Sequence, residues 1–216
     1  MRRAAVLAIT LLVALAAGAT PEEDGWQLID DEDGVRVWRK PVPDSRVLAF
    51  RGAATVEVPI ARLIGVLLDV DQSTHWVDLL IESRRLREPG EGQSVLYNRY
   101  DLSWPLQDRD YVLKRVLRID PDARVVTATY SSVEDSAQPE QACCVRAATR
   151  STSWRFRSEG PALTHVEVEV FTDPKGSIPT WLVNVVQRDW PRNSIRKLTA
   201  RASGPDASPY PPLADW

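Results

Sequence analysis

Cysteine, histidine and surplus positive charge are all scarce in this 216-residue sequence. Two cysteines, adjacent at 143 and 144, exclude a disulfide-knit scaffold. Two histidines, His75 and His165, leave little for nucleophilic or metal chemistry. No HExxH, no CxxC pair and no glycine-rich phosphate loop occurs, and no serine or cysteine elbow flanks His75. The carboxylates Asp30, Asp31 and Asp33 stand in a charge run that reads as a solvated face. The sequence therefore offers no catalytic residue, no metal site and no cofactor site, and an enzyme is not expected. With 27 basic against 30 acidic residues, the net charge of −3 lacks the footprint of a nucleic-acid binder. A long apolar run is missing too. The uncharged stretch at 4–17 would rise only about 21 Å as a helix, against a hydrocarbon core of roughly 30 Å. Preceded by Arg2 and Arg3 and followed by Ala17-Gly18-Ala19, it reads as a signal peptide over 1–19, with export to the periplasm or medium.

What is present suffices for one folded domain. The 44% hydrophobic and 26% charged content excludes a disordered chain. Periods of two and of 3.6 alternate in an α+β rather than a βαβ order. A short helix is expected within 21–33, then strands over 35–42 and 47–58, separated by Pro41-Val42-Pro43-Asp44. Pro59 opens a helix whose Ile60, Leu63, Ile64, Leu67 and Leu68 form one apolar stripe, and a second short helix is expected over 73–80. Strands follow over 82–87, 93–103, 109–119, 124–133, 143–157 and 163–172, joined by turns into an antiparallel meander. A helical segment from Pro179 to about 203, interrupted by Pro191, offers Trp181, Leu182, Val185, Val186, Ile195 and Leu198 to cover the concave face of a curled sheet. The tail at 204–216 is proline-rich and expected to be loose. Cys143 and Cys144 are expected to be small strand residues on opposite faces, since a bond between neighbours forces a strained ring.

Strand alternation names the side chains that look into the concavity. One parity carries Leu96, Asn98, Tyr100, Leu102 and Trp104; the other, with Tyr97 and Arg99, is expected to be wet. The next strand turns Tyr111, Leu113, Arg115 and Leu117 inward. Further on, the inward parities are Arg150, Thr152, Trp154 and Phe156, then Val166, Val168 and Val170. Asn98 and Arg115 stand out as polar groups on apolar faces. No acidic residue falls on the inner face of the strand beside Arg115, so its guanidinium needs solvation or a ligand.

Two blocks now carry a family pattern. The run YDLSWPLQDRDYVLKR at 100–115 resembles the START (StAR-related lipid-transfer) domain, where a proline-containing loop leads into an R-D-[YF]-V strand. The run FTDPKGSIPTWLVNVVQRDWPRNSIRKL at 171–198 is similar to that family's terminal helix region, and His75-Trp76 to its helix before the meander. The wording is nearest to the phosphatidylcholine-transfer-protein branch, in a bacterial, exported form. The resemblance spans roughly 22–203 and implies a helix-grip fold, with residues 20–203 forming a lipid-binding domain around an internal tunnel. It also implies a gate made of 103–108 and 179–201. Arg115 matches a cavity arginine of several family members, whereas the family's acidic partner maps near Leu96 or is absent, so headgroup specificity does not transfer.

The expected function is non-enzymatic binding, and transfer, of a lipid or other hydrophobic ligand. The expected ligand-contacting residues are Asn98, Tyr100, Trp104, Tyr111, Leu113, Arg115, Arg150, Thr152, Trp154, Val168, Trp181 and Val185. Phospholipid, sterol, hopanoid and fatty acid all stay open as ligands. A monomer touching membranes transiently through Trp104 and Trp181 is expected. The alternatives are a cyclase- or hydrolase-like enzyme in the same cavity and a ligand sensor without a transport role.

Overall fold

The computed structural model describes residues 23–216; the expected signal peptide at 1–19 lies outside the described residues. Ten strands make one sheet. β1 (Gln27–Glu32), β2 (Val35–Lys40) and β3 (Ala49–Val56) lead into α1 (Ile60–Leu68). The meander follows: β4 (Leu80–Gly90), β5 (Gln93–Tyr100), β6 (Asp108–Asp120), β7 (Val125–Ser132), β8 (Cys144–Arg146), β9 (Ala148–Gly160) and β10 (Leu163–Asp173). α2 (Thr180–Ser203) closes the domain. The order is β1-β2-β3-β10-β9-β7-β6-β5-β4, antiparallel throughout, with β8 added parallel to β6. This curved sheet holding a C-terminal helix is the expected helix-grip architecture.

The concave face is divided between two tasks. On one part, Ile60, Leu63, Ile64 and Leu67 of α1 meet Val126, Trp154, Phe156, Val166 and Val168 of the sheet and Ile195 and Leu198 of α2. The close approach of α2 requires Gly52: a Cβ there would sit 2.7 Å from the Cβ of Pro191. The other part, under the N-terminal half of α2, is left unfilled.

Several expectations are corrected. The 21–33 segment is a strand from Gln27 onward, because the backbone of 27–32 pairs with β2. A register shift between Leu28 and Asp30 breaks the alternation that would have identified it. The 73–80 helix shrinks to a 3-10 turn at Ser73–His75. α2 runs unbroken through Pro191, whose missing N–H costs one hydrogen bond while its ring packs against Gly52. The tail is docked rather than loose. The Tyr210 N–H donates to the Ala61 carbonyl at 2.8 Å, and Leu213 is fully buried. Cys143 and Cys144 are joined in a vicinal disulfide at the start of β8. Tyr97, placed by parity on the wet face, is buried with Val95 and Val112 under the 133–142 loop, where Arg84 stacks on its ring and bonds Gln138.

Candidate functional site

The unfilled part of the concave face is a pocket of about 670 Å³ between β4–β10 and α2. Its walls are Leu96, Asn98 and Tyr100 from β5, Tyr111, Leu113 and Arg115 from β6, Tyr130 from β7, Thr149, Thr152 and Trp154 from β9, and Val170 and Thr172 from β10. Leu182, Val183, Val186, Gln187 and Trp190 of α2 form the roof, and Trp76 and Leu80 close one side. Thus Asn98, Tyr100, Tyr111, Leu113, Arg115, Thr152 and Trp154 lie together in the pocket wall.

The other five expected residues lie elsewhere. Trp104 is 93% exposed. β5 ends at Tyr100, so alternation does not extend into the 101–107 loop. Arg150 points outward over the Phe171 ring, because a bulge pairs Ser151 with Phe171 but Thr149 with Thr172 and leaves Arg150 as the extra residue. Val168 is fully buried, paired with Gly52 under the Pro191–Ile195 turn of α2. Trp181 and Val185 face solvent at 68% and 54% exposure; the roof is built by Leu182, Val183 and Val186 instead. Tyr130, Thr149, Gln187 and Trp190 were missed. The parity of Val126 and Ala128 announces Tyr130, whereas Trp190 reaches the site only through its edge contact with Trp154, ring centres 6.2 Å apart.

The polar groups fall into distinct sets. Arg115 is 5% exposed, bonds Ser94 Oγ at 3.2 Å and stands opposite Tyr130 on the neighbouring strand β7. It forms no ion pair among the described residues. Beyond Ser94 lies a second, polar hollow of about 430 Å³ between the β4–β5 turn and the docked tail, also touching Arg115. Burial raises the Tyr130 phenol, and Arg115 opposes that rise. Tyr100 and Tyr111 meet edge to face, ring centres 5.5 Å apart. Burial pushes Tyr100 up to about 12 and Tyr111 higher still, so both remain neutral hydroxyls at any physiological pH. Ser83 bonds Asn98 at 2.9 Å, while Thr149, Thr152 and Thr172 share a hydroxyl cluster at 3.0–3.1 Å. Trp76 Nε1 and Gln187 Oε1 are buried without partners.

Arg109 and Asp110 of the R-D-Y block hold structure. Arg109 donates to the carbonyls of Pro174 and Lys175, both at 3.0 Å, tying β6 to the loop before α2. Burial draws its guanidinium below the usual arginine range. Asp110 accepts a two-pronged bond from Arg146, both contacts at 3.0 Å, which fixes β8 alongside β6. His75 is exposed on its 3-10 turn, and His165 sits on β10 with its Nδ1 3.1 Å from Thr55 Oγ1. Neither lines the pocket. Among the described residues, no cluster of acidic, histidine or cysteine side chains is arranged to hold a metal ion. No helix among them is long and apolar enough to cross a membrane.

The family profile described as the START domain matches residues 7–202. The chain belongs to the START domain family. A relative from Pseudomonas aeruginosa, an uncharacterized protein, is 30% identical over 200 residues, covering 91% of this chain and 97% of its own. The mouse phosphatidylcholine transfer protein is 27% identical over 176 residues, 80% of this chain and 81% of its own. Among solved structures, human STARD10 superposes with a TM-score of 0.77 at 25% identity, covering 84% of this START protein and 74% of the other chain.

Proposed function

We propose that this START protein binds a lipid in the pocket beneath α2 and carries it between membranes without covalent chemistry. The observation that carries the proposal is the pocket itself: about 670 Å³ of largely apolar wall left open in a fold whose remaining concave face is densely packed. Moving an acyl chain of about sixteen carbons into water costs on the order of 12 kcal/mol, at about 0.8 kcal/mol per methylene. An apolar pocket removes that cost, so transfer is accelerated without tight net affinity. The names of the mouse relative and of other family members, which are lipid transfer proteins, support the same reading.

The gate in this proposal is the 101–107 loop together with the N-terminal half of α2. The C-terminal half of α2 is anchored by ion pairs: Arg192 with Asp30, Arg196 with Asp33 and Lys197 with Asp78. The N-terminal half has Asn184 on the backbone of Arg46 and Leu48, Gln187 on the Thr172 carbonyl, and one long ion pair of Arg188 with Asp30 at 4.0 Å. Pro191, lacking an N–H, marks the division. Trp181 and Val185 on this half, Trp104 on the 101–107 loop and Leu79 before β4 are exposed apolar side chains, suited to touching a bilayer interface while the gate opens. Export of a monomer through residues 1–19 completes the proposal, and the mass of the protein recovered from cells tests it, since cleavage after Ala19 removes nineteen residues.

The functional test is a vesicle-to-vesicle transfer assay with a fluorescent lipid. Catalytic amounts of protein are expected to raise the transfer rate well above the spontaneous one. A rate equal to the protein-free control refutes transfer, and retained binding in that case leaves a sensor.

A further inference from the structure

The bond between Cys143 and Cys144 lies beside the gate, on a strand that adjoins both of its parts. We infer that it is a reversible redox site: a dithiol opens the bond, the start of β8 comes free, and the gate over the pocket loosens. This rests on the gate reading above and adds a control to it.

The bond does little as a staple. A disulfide stabilises by closing a loop in the unfolded chain, by an amount that grows with loop length, and a loop between neighbours is the shortest there is. Nor is it a packed core group, since Cys143 is exposed and Cys144 half-buried. The sequence holds no third cysteine, so an opened pair can re-form only the same bond within the chain.

What the bond holds is the entry to β8. The Cys144 N–H donates to the Gln141 carbonyl at 3.2 Å, closing a turn, and Cys144 then begins the strand. Adjacent side chains of a strand point to opposite faces, so two that are bonded together keep Cys143 out of the strand. The three residues of β8 pair with Asp108, Arg109 and Asp110 of β6. The Arg146 end is secured twice more, by the two-pronged bond to Asp110 and by the Ala147 N–H on the Asp110 carbonyl at 3.0 Å. The Cys144 end rests on its pairing with Asp108 and on the disulfide-held turn. Asp108 directly follows the 101–107 loop, the first part of the gate. Val145 lies against the segment that leads into α2, the second part: a Cβ on Gly176 would stand 3.7 Å from both its methyl groups. Its pairing partner Arg109 joins the two parts, donating to the carbonyls of Gln107, Pro174 and Lys175.

The exchange balances without any other group. One thiolate of the dithiol attacks Cys143 Sγ on the exposed residue, and the electron pair of the S–S bond leaves on Cys144 Sγ, which takes a proton. The second thiol then attacks the dithiol's own sulfur in the mixed disulfide, releasing Cys143 as a thiol and the reagent as its cyclic disulfide. Two electrons and two protons have passed to the protein. Cys143 turns away from Cys144, the 141–144 turn relaxes, and the Asp108 end of β8 loses its hold while Arg146 keeps the other end in place.

The test compares air-oxidised full-length protein with the same protein treated with dithiothreitol, iodoacetamide and mass counting the thiols. Two thiols should appear after dithiothreitol and none before. In the reduced form the amides of 105–110, 143–147 and 174–179 should exchange faster, with those of β10 unchanged, and reoxidation should reverse the difference. Vesicle-to-vesicle transfer of pyrene-labelled fatty acid or pyrene-labelled phosphatidylcholine should be severalfold faster from the reduced form. The double variant Cys143→Ser/Cys144→Ser should match the reduced form and ignore dithiothreitol. Two alkylated cysteines before treatment, a bond that resists dithiothreitol in the folded protein, identical exchange in the two forms, or equal transfer rates overturn the inference. Transfer by neither form, with the exchange difference present, removes the transfer reading of the pocket and leaves the redox site standing. The comparison of the two wild-type forms gives its answer even if the variant fails to fold.

Discussion

Gly65 of α1 lies under the C-terminal tail so closely that a methyl group has nowhere to go. A Cβ at this position would stand 2.0 Å from the Ser208 carbonyl oxygen, 3.1 Å from its carbon and 3.3 Å from the Tyr210 nitrogen. Two effects of Gly65→Ala oppose each other. Alanine in a helix is favoured over glycine by about 1 kcal/mol. Against this, the obstructing atoms are backbone, so the tail must move away. Undocking exposes Leu213, worth about 2 kcal/mol, and breaks the Tyr210–Ala61 hydrogen bond, worth about 1 kcal/mol. It also loosens Ala207, Tyr210 and Trp216 from the core. The freed residues regain conformational entropy, which limits the net loss to about 1–3 kcal/mol. At about 2–4 °C per kcal/mol for a chain of this size, the melting temperature should fall by roughly 2–12 °C. Hydrogen exchange over 204–216 gives the sharper readout, because the tail amides should lose protection while α1 keeps its own. Leu213→Ala should undock the same segment, so the double variant should cost little more than either single one. A rise in melting temperature with the tail still protected would refute the reasoning, since helix propensity alone would then govern the site.

Other predictions follow from the same contacts. Gly52→Ala places a methyl 2.7 Å from Pro191 and should cost about 1–3 kcal/mol, with faster exchange along α2; an unchanged urea midpoint contradicts this. Tyr100 ionises at about 12 in the fold and near 10 when unfolded. The unfolded chain therefore loses its proton first, and the contribution of Tyr100 to stability, whole below about pH 10, is lost between about pH 10 and 12. Urea midpoints compared at about pH 9 and pH 11 should fall, and phenolate absorbance of the folded protein should show Tyr97, Tyr100, Tyr111 and Tyr130 titrating above the ordinary tyrosine range; coincident titration of all five tyrosines near pH 10 rules this out. Trp104→Ala and Trp181→Ser should each reduce vesicle partitioning severalfold while leaving the melting temperature within experimental error; equal partitioning of both variants with the parent argues against these side chains as the membrane contact.

Much of this fold is written locally. In β10, Val166, Val168 and Val170 alternate with His165, Glu167 and Glu169, and the stripe of α1 is unbroken, so both were legible. β1 was not, because its bulge removes the period of two and its backbone is ordered by β2. The pocket was legible along β5 and β6, where Asn98, Tyr100, Tyr111, Leu113 and Arg115 all follow from parity. It failed where parity breaks, at the bulge at Arg150 and the strand end before Trp104, and also at Val168, whose parity holds but whose side chain packs in the core opposite Gly52. On α2, Trp181, Leu182, Val185 and Val186 recur at helical spacing, yet Trp181 and Val185 face solvent. Which of them form the roof depends on the angle imposed by Gly52 and Pro191, a tertiary contact that no local pattern carries.

The central claim is that the pocket under α2 is a lipid site. Its most direct test is native mass spectrometry of the protein purified, without added lipid, from the cells that make it. The account predicts a one-to-one complex whose mass excess is lost on denaturation and whose organic extract contains a lipid. Repeated preparations that carry no such mass, and that take up none on titration, would contradict it.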